Sequence, residues 1–210
     1  TWAQQRGHRL SFTRFYADEA LPEPEAVEGV VVMGGPMGVY DEDRYPWLRD
    51  EKAFLRAVLK AGRPVVGVCL GAQLLAEVLG GRVYPGPQPE IGWFPVRRTS
   101  QGRVHPLLAN VPDELTVFHW HGDTFELPPG AVHLMESAAC AHQAFVWEGR
   151  ALGLQFHLEM TPASVQAGGA GSRPCPLGLR ATGGGAPGAP GRGLPPAARS
   201  AGAAARPGAG

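Results

Sequence analysis

The chain carries no net charge, since 19 Lys and Arg offset 19 Asp and Glu. It therefore lacks the electrostatic footprint of a nucleic-acid binder or of a protein held on an anionic membrane. No run of about 18 apolar residues occurs, so no transmembrane helix is expected. The start, Thr1-Trp2-Ala3, has no basic segment leading into an apolar one, so no secretory leader is expected. Three cysteines stand far apart at 69, 140 and 175. That odd number argues against a disulfide framework and fits a reducing, cytoplasmic setting. No Cys-x-x-Cys or His-Glu-x-x-His pair accompanies the histidines at 105, 119, 121, 133 and 142, so no metal is expected. Gly-x-Gly-x-x-Gly ahead of a helix is missing too, and with it a dinucleotide fingerprint. No cofactor is expected.

Acidic residues also run out. None follows Glu159, and from about Gln166 the chain is almost wholly Gly, Ala, Pro, Arg, Ser and Leu. Such a segment cannot bury enough apolar area to offset the cost of ordering it. The expectation is one domain over 1–165, ample for a hydrophobic core, and a disordered low-complexity tail over 166–210. The tail is either a natural linker or the product of a shifted reading frame. The second reading rests on its lack of lysine and on a helical start at 161–165 that dissolves.

What is present centres on Pro64-Val65-Val66-Gly67-Val68-Cys69-Leu70-Gly71-Ala72-Gln73. An apolar run enters a Gly-x-Cys-x-Gly turn, and a helical pattern follows at once. The layout resembles a nucleophile elbow, in which a reactive side chain sits on a tight strand-to-helix turn. Gly67 and Gly71 permit the bend and close packing around it. Cys69 at the apex stands at a helix N-terminus, whose positive dipole end favours thiolate. A merely buried cysteine is the competing reading. For Cys140, with no charged neighbour in Ala138-Ala139-Cys140-Ala141, the buried reading is preferred.

Around this stretch the pattern predicts the following order. Residues 2–10 end a helix at Gly7, 11–16 alternate as a strand, and 18–28 form an acidic loop. The apolar run 29–33 suits a strand buried on both faces. It leads into Gly34-Gly35-Pro36-Met37-Gly38, whose bare backbone N–H groups can face a ligand. Apolar residues at 47, 48, 54, 55, 58 and 59 make a helix of 46–61, stopped by Gly62 and Pro64. A second helix spans 71–79 and ends at Gly80-Gly81. Strand, helix, strand, helix over 29–80 predicts a three-layer α/β fold with a mostly parallel central sheet flanked by helices. Beyond it, 82–84, 92–98, 116–120 and 132–137 read as strands, and 144–147 with 151–156 as a hairpin about Glu148-Gly149-Arg150. These form an additional antiparallel β region.

A cysteine nucleophile needs a base, and the base needs an orienting acid. His157 and Glu159 supply both. Two residues apart on an extended segment, they point to one side. Oxyanion donors are available in the backbone N–H groups of Leu70, next after the nucleophile, and of Gly35.

Taken together, Gly-Gly-Pro (34–36), Gly-Val-Cys-Leu-Gly-Ala-Gln (67–73), His-Gly-Asp (121–123) and Gln-Phe-His-x-Glu (155–159) resemble a class I glutamine amidotransferase domain. The likeness is to the glutaminase half of GMP synthases and its free-standing relatives. It covers roughly 1–165. It implies a flavodoxin-like α/β fold and a Cys69-His157-Glu159 triad. It also implies an oxyanion hole at Gly35 and Leu70, and glutamine held by Gln73, Gly122 and Asp123, partly through backbone groups. L-glutamine would be the substrate, and ammonia would pass to a synthetase or acceptor subunit. Leu158 stands where the family has Pro, and Trp120 where GMP synthases carry a small polar residue. The strand that opens the family fold has no counterpart before 2–10, and its last helix would start at 161. Two alternatives accompany this reading: a γ-glutamyl hydrolase without ammonia transfer, and a catalytically silent binding or regulatory subunit.

Overall fold

A computed structural model describes residues 2–161, 163 and 165. The α/β reading holds. The elements are α1 (Trp2–Gln5), β1 (Val30–Val32), α2 (Trp47–Lys60), β2 (Val65–Val68), α3 (Leu70–Val78), β3 (Val83–Arg98), α4 (Ser100–Val104), β4 (Glu114–Phe125), β5 (Val132–Glu136), β6 (Ala144–Trp147) and β7 (Ala151–Leu154). All seven strands join one sheet in the order β1-β2-β7-β6-β5-β3-β4. β2 is parallel to both neighbours, with Val31 opposite Val66 and Val66 opposite Leu152. From β7 onward every ladder is antiparallel.

The parallel part is built as β-α-β units, and its apolar spacing shows why. On α2 the stripe Leu48, Leu55, Val58 and Leu59 is buried. α3 is buried on nearly every side, from Leu70 through Ala76, between α2 and the sheet. Removing one such leucine from water contributes roughly 1.5–3 kcal/mol. Gly80, at φ 95°, ends α3 in the region that glycine alone enters freely. A second, smaller core of Val96, Val117, Leu134, Met135, Ala144, Val146 and Phe156 holds the antiparallel part together.

Four local expectations change. Residues 11–16 alternate but form no strand, and the outer edge of β1 stays unpaired among the described strands. Alternation alone does not make a ladder. Phe15 instead enters a short 3-10 turn and stacks on Trp47 at 4.5 Å. β1 is not covered on both faces, since Val31 is 63% exposed. Residues 83–98 run as one strand with a bulge between Pro85 and Glu90. α4 was not expected. It starts because Thr99 Oγ1 accepts from the Gly102 N–H at 2.9 Å, and any Cβ at Gly102 would strike the Leu134 carbonyl. At the far end the Val165 N–H donates to Thr161 O at 2.9 Å. The tail expected over 166–210 lies outside the described residues.

Candidate active site

β2 delivers the chain to Cys69 at φ 53°, ψ −109°, where a residue with a side chain is strained. The turn closes only because its flanks are bare. A Cβ on Gly67 would lie 2.3 Å from the Gly71 carbonyl oxygen, and one on Gly71 2.2 Å from that of Val32. The Cys69 N–H bonds to Leu154 O at 2.8 Å, which ties the elbow to β7. Cys69 O then accepts from the Ala72 and Gln73 N–H groups at 3.0 and 3.1 Å, so α3 begins at once.

The same site receives His157. Its N–H donates to Phe118 O at 2.8 Å, which fixes the segment after β7 against β4. Gly34 lies between the sulfur and the ring: a Cβ there would meet Cys69 Cβ at 3.2 Å, Cys69 Sγ at 3.8 Å and His157 Cε1 at 3.2 Å. His157 Nδ1 stands 2.6 Å from Glu159 Oε1. A carboxylate can only accept, so Nδ1 carries the proton. Nε2 is left uncommitted.

The thiol does not start as the expected thiolate. Burial pushes Cys69 up to about 11; a hydrogen bond from the Leu70 N–H pulls it down, and the Glu159 charge raises it further. At neutral pH the thiol is therefore favoured over the thiolate. The S–H donates instead to Trp120 O at 3.7 Å. Desolvation outweighs the helix N-terminus here.

The other expected residues surround this centre. Gly35 packs on Leu70, whose Cδ2 would be 3.1 Å from a Cβ at 35. Gln73 is buried on α3, and its Nε2 donates to Gln155 Oε1 at 3.1 Å and to Asp123 O at 3.4 Å. Gly122 opens onto free space. Asp123 Oδ2 accepts from the Tyr40 hydroxyl at 2.6 Å. That bond pushes the phenol up to about 12, so it stays protonated. All eight residues expected from the sequence thus gather between the C-terminal end of β2, the loop after β1, and β4.

Sequence reasoning missed three features. Tyr40 bridges the loop after β1 to Asp123. Buried Lys52 holds that loop, its Nζ donating to Val39 O at 2.7 Å, Glu42 Oε1 at 2.7 Å and Glu77 Oε1 at 2.9 Å. The helical spacing placed Lys52 off the apolar stripe, and only the tertiary fold supplies its partners. The third is a buried trio, Glu90, His119 and His121, on the adjoining β3–β4 hairpin. Cys140 is buried, 3.2 Å from Thr124 Oγ1, and burial raises its thiol.

Comparison with known proteins bears on the whole arrangement. A family description, "Glutamine amidotransferase class-I", matches residues 3–167. The glutamine amidotransferase-like protein YfeJ of Salmonella typhimurium is 38% identical over 169 residues, spanning 79% of this chain and 71% of that protein. A GMP synthase [glutamine-hydrolyzing] of Thermomicrobium roseum is 40% identical over 134 residues, covering 63% of this chain and 23% of the relative. Among solved structures, a glutamine amidotransferase of Thermotoga maritima superposes with a TM-score of 0.73 at 37% identity, over 80% of this chain and 74% of that one. One from Methylobacillus flagellatus gives 0.73 at 35% identity, over 79% and 66%.

Proposed function

The chain belongs to the class I glutamine amidotransferases, and on that premise we propose that it hydrolyses the side-chain amide of L-glutamine through a Cys69-His157-Glu159 triad. His157 Nε2 takes the thiol proton as the sulfur attacks the amide carbon. The oxyanion is met by the backbone N–H groups of Leu70 and Gly35, each worth about 3 kcal/mol. The imidazolium, braced by Glu159, returns its proton to the departing ammonia. Water, activated by the same ring, then attacks the thioester and releases glutamate. Gln73 stiffens the floor of the pocket, while Gly122 and Asp123 hold the amino-acid end of the substrate.

The observation that carries this reading is the placement of sulfur and imidazole on one glycine, Gly34, with Nδ1 already tied to Glu159. Ammonia then goes to an acceptor enzyme. The chain spans about a quarter of the GMP synthase relatives it matches; a synthetase or acceptor subunit that receives the ammonia is part of the proposal. No helix among the described residues is long and apolar enough to cross a membrane; a cytoplasmic setting is part of the proposal.

One observation favours the γ-glutamyl hydrolase alternative. Trp93 and Trp120, each about 40% exposed, flank Phe118, whose ring lies 6.2 Å from that of His157. Exposed Leu158 adjoins the same histidine in the chain. An apolar rim beside the group that protonates the leaving amine suits an amine larger than ammonia. The deciding experiment treats the protein with a diazoketone analogue of glutamine and locates the adduct by mass spectrometry. Turnover of glutamine is then compared with that of γ-glutamyl arylamides. Adduct on Cys69, abolished in Cys69→Ala, is expected. No adduct there and no change on that substitution would leave the silent-subunit reading in its place.

A further inference from the structure

The buried trio on the β3–β4 hairpin has no part in the chemistry above, and its donor atoms point inward at one another. His119 and His121 share one face of β4 by the two-residue period of a strand. The bulge in β3 brings Glu90 directly opposite His121. Glu90 Oε2 lies 3.2 Å from His121 Nε2 and 3.8 Å from His119 Nδ1, and all three donors fall within 4.8 Å of one another. Nitrogen and oxygen ligands at about 2.0–2.2 Å from a tetrahedral ion stand roughly 3.4 Å apart, between the two observed separations.

Hydrogen bonding leaves these atoms wanting a cation. His121 Nδ1 stands 3.0 Å from Asp123 O. A carbonyl only accepts, so Nδ1 carries the proton, and with the ring neutral Nε2 presents a lone pair. Nε2 stands 3.2 Å from a Glu90 carboxylate oxygen, and His119 is fully buried with no well-formed hydrogen bond at either ring nitrogen, the Phe94 backbone being its nearest polar neighbour besides Glu90 and His121. Glu90 is oriented from behind. Its Oε1 accepts from Ser137 Oγ at 2.8 Å and its Oε2 from Gln143 Nε2 at 2.6 Å. Outer hydrogen bonds of this kind fix metal ligands in place. Ser137, which donates to Glu90, also lines a surface cavity of about 550 Å³, shared with Thr124 and Cys140.

We propose that Glu90, His119 and His121 form a binding site for one divalent first-row ion of the Zn²⁺ type. Two imidazoles and a carboxylate suit such an ion better than Ca²⁺ or Mg²⁺, which favour all-oxygen shells. The ion would lock the bulged end of β3 onto β4, one residue before the Gly122-Asp123 segment. The site stands independently of the glutamine chemistry. The rival occupant is a second proton on His121.

The test uses the full-length protein, stripped with a chelator, dialysed, and titrated with Zn²⁺ while bound metal is counted by mass spectrometry. One ion per chain is expected, with a rise in Tm. Glu90→Gln and His121→Asn, checked for folding by circular dichroism, should weaken binding by about 100-fold or more. Co²⁺ should give the intense visible absorption of a four-coordinate ion in the unmutated protein, which decides the matter even if both variants misfold. Zn²⁺ uptake no greater than that of folded Glu90→Gln would overturn the proposal. So would a weak six-coordinate Co²⁺ spectrum, or nitrogen NMR showing His121 doubly protonated in the presence of excess Zn²⁺.

Discussion

Two histidine–carboxylate pairs sit in adjoining regions of this molecule and are wired in opposite senses. At the rim of the elbow, Glu159 holds His157 through Nδ1 at 2.6 Å, and the carboxylate is 38% exposed at its side chain. Inside the β3–β4 hairpin, Glu90 and His121 are almost wholly buried, and the contact is through Nε2 at 3.2 Å. In the first pair the carboxylate occupies the orienting nitrogen, and the other nitrogen is left to move a proton. In the second a backbone carbonyl, Asp123 O, occupies the orienting nitrogen, and the other is turned onto the carboxylate itself. The residue types are the same; which ring nitrogen is already committed decides what each pair can do. The rim pair reaches solvent, whereas the buried pair does not.

The comparison is broken most directly by taking the charge off each carboxylate in turn. Glu159→Gln should lower glutamine turnover by about 10²–10⁴-fold, because the imidazole loses both its tautomer and its counter-charge. Its Tm should move little, since the carboxylate is partly exposed. Glu90→Gln should do the reverse. It takes away a carboxylate oxygen that accepts from Ser137 Oγ or Gln143 Nε2, and leaving a buried donor unsatisfied costs about 1–3 kcal/mol of unfolding free energy, read by urea denaturation, while kcat at a temperature where the variant is folded stays near that of the parent. A large kcat loss in Glu90→Gln, or a large stability loss in Glu159→Gln, would show that the two pairs are not separate devices.

The thiol sharpens the comparison through sign. With Cys69 held up at about 11 by burial, alkylation by iodoacetamide should climb about tenfold per pH unit between pH 7 and 10. A rate already flat at pH 7 would mean a preformed thiolate and a different first step. Because the Glu159 charge raises the thiol, Glu159→Gln should alkylate faster than the parent at pH 7 while turning over glutamine more slowly. A merely structural Glu159 would move neither quantity in that opposed way.

Much of the rim region was legible because its chemistry is local in the chain. Gly67, Cys69 and Gly71 fall within five positions, and the clashes a Cβ would make at 67 and 71 are the reason for that spacing. His157 and Glu159 are two residues apart, and their side chains meet at 2.6 Å although β7 has ended at Leu154. The buried pair was illegible because Glu90 and His121 come from different strands, and their meeting depends on a bulge that no local pattern announces. Lys52 was hidden for a similar reason, its partners lying on the loop after β1 and on α3. The strand expected over 11–16 failed in the other direction: its period was right, but the segment does not pair with the free edge of β1 and turns at Phe15, which stacks on Trp47. Ionisation of Cys69 was misjudged because the sequence shows the helix start but not how completely the sulfur is removed from water.

The smallest expected effect tests whether the two regions are truly independent, since they meet at one residue. Asp123 receives His121 Nδ1 on its carbonyl from the buried side and the Tyr40 hydroxyl on its carboxylate from the rim side, at 3.0 and 2.6 Å. Tyr40→Phe removes only the second bond. A hydrogen bond of this kind contributes about 1 kcal/mol net, so KM for glutamine should rise about fivefold with kcat unchanged and Tm nearly so. A fall in kcat at constant KM would place Tyr40 in the chemical step instead of in substrate positioning. Combined with Glu90→Gln, the change in KM should be additive to within about 0.5 kcal/mol if the backbone at 121–123 is rigid. A coupling clearly larger than that would mean that the buried trio sets the position of Asp123, and that the two wirings act on a single strand segment from its opposite faces.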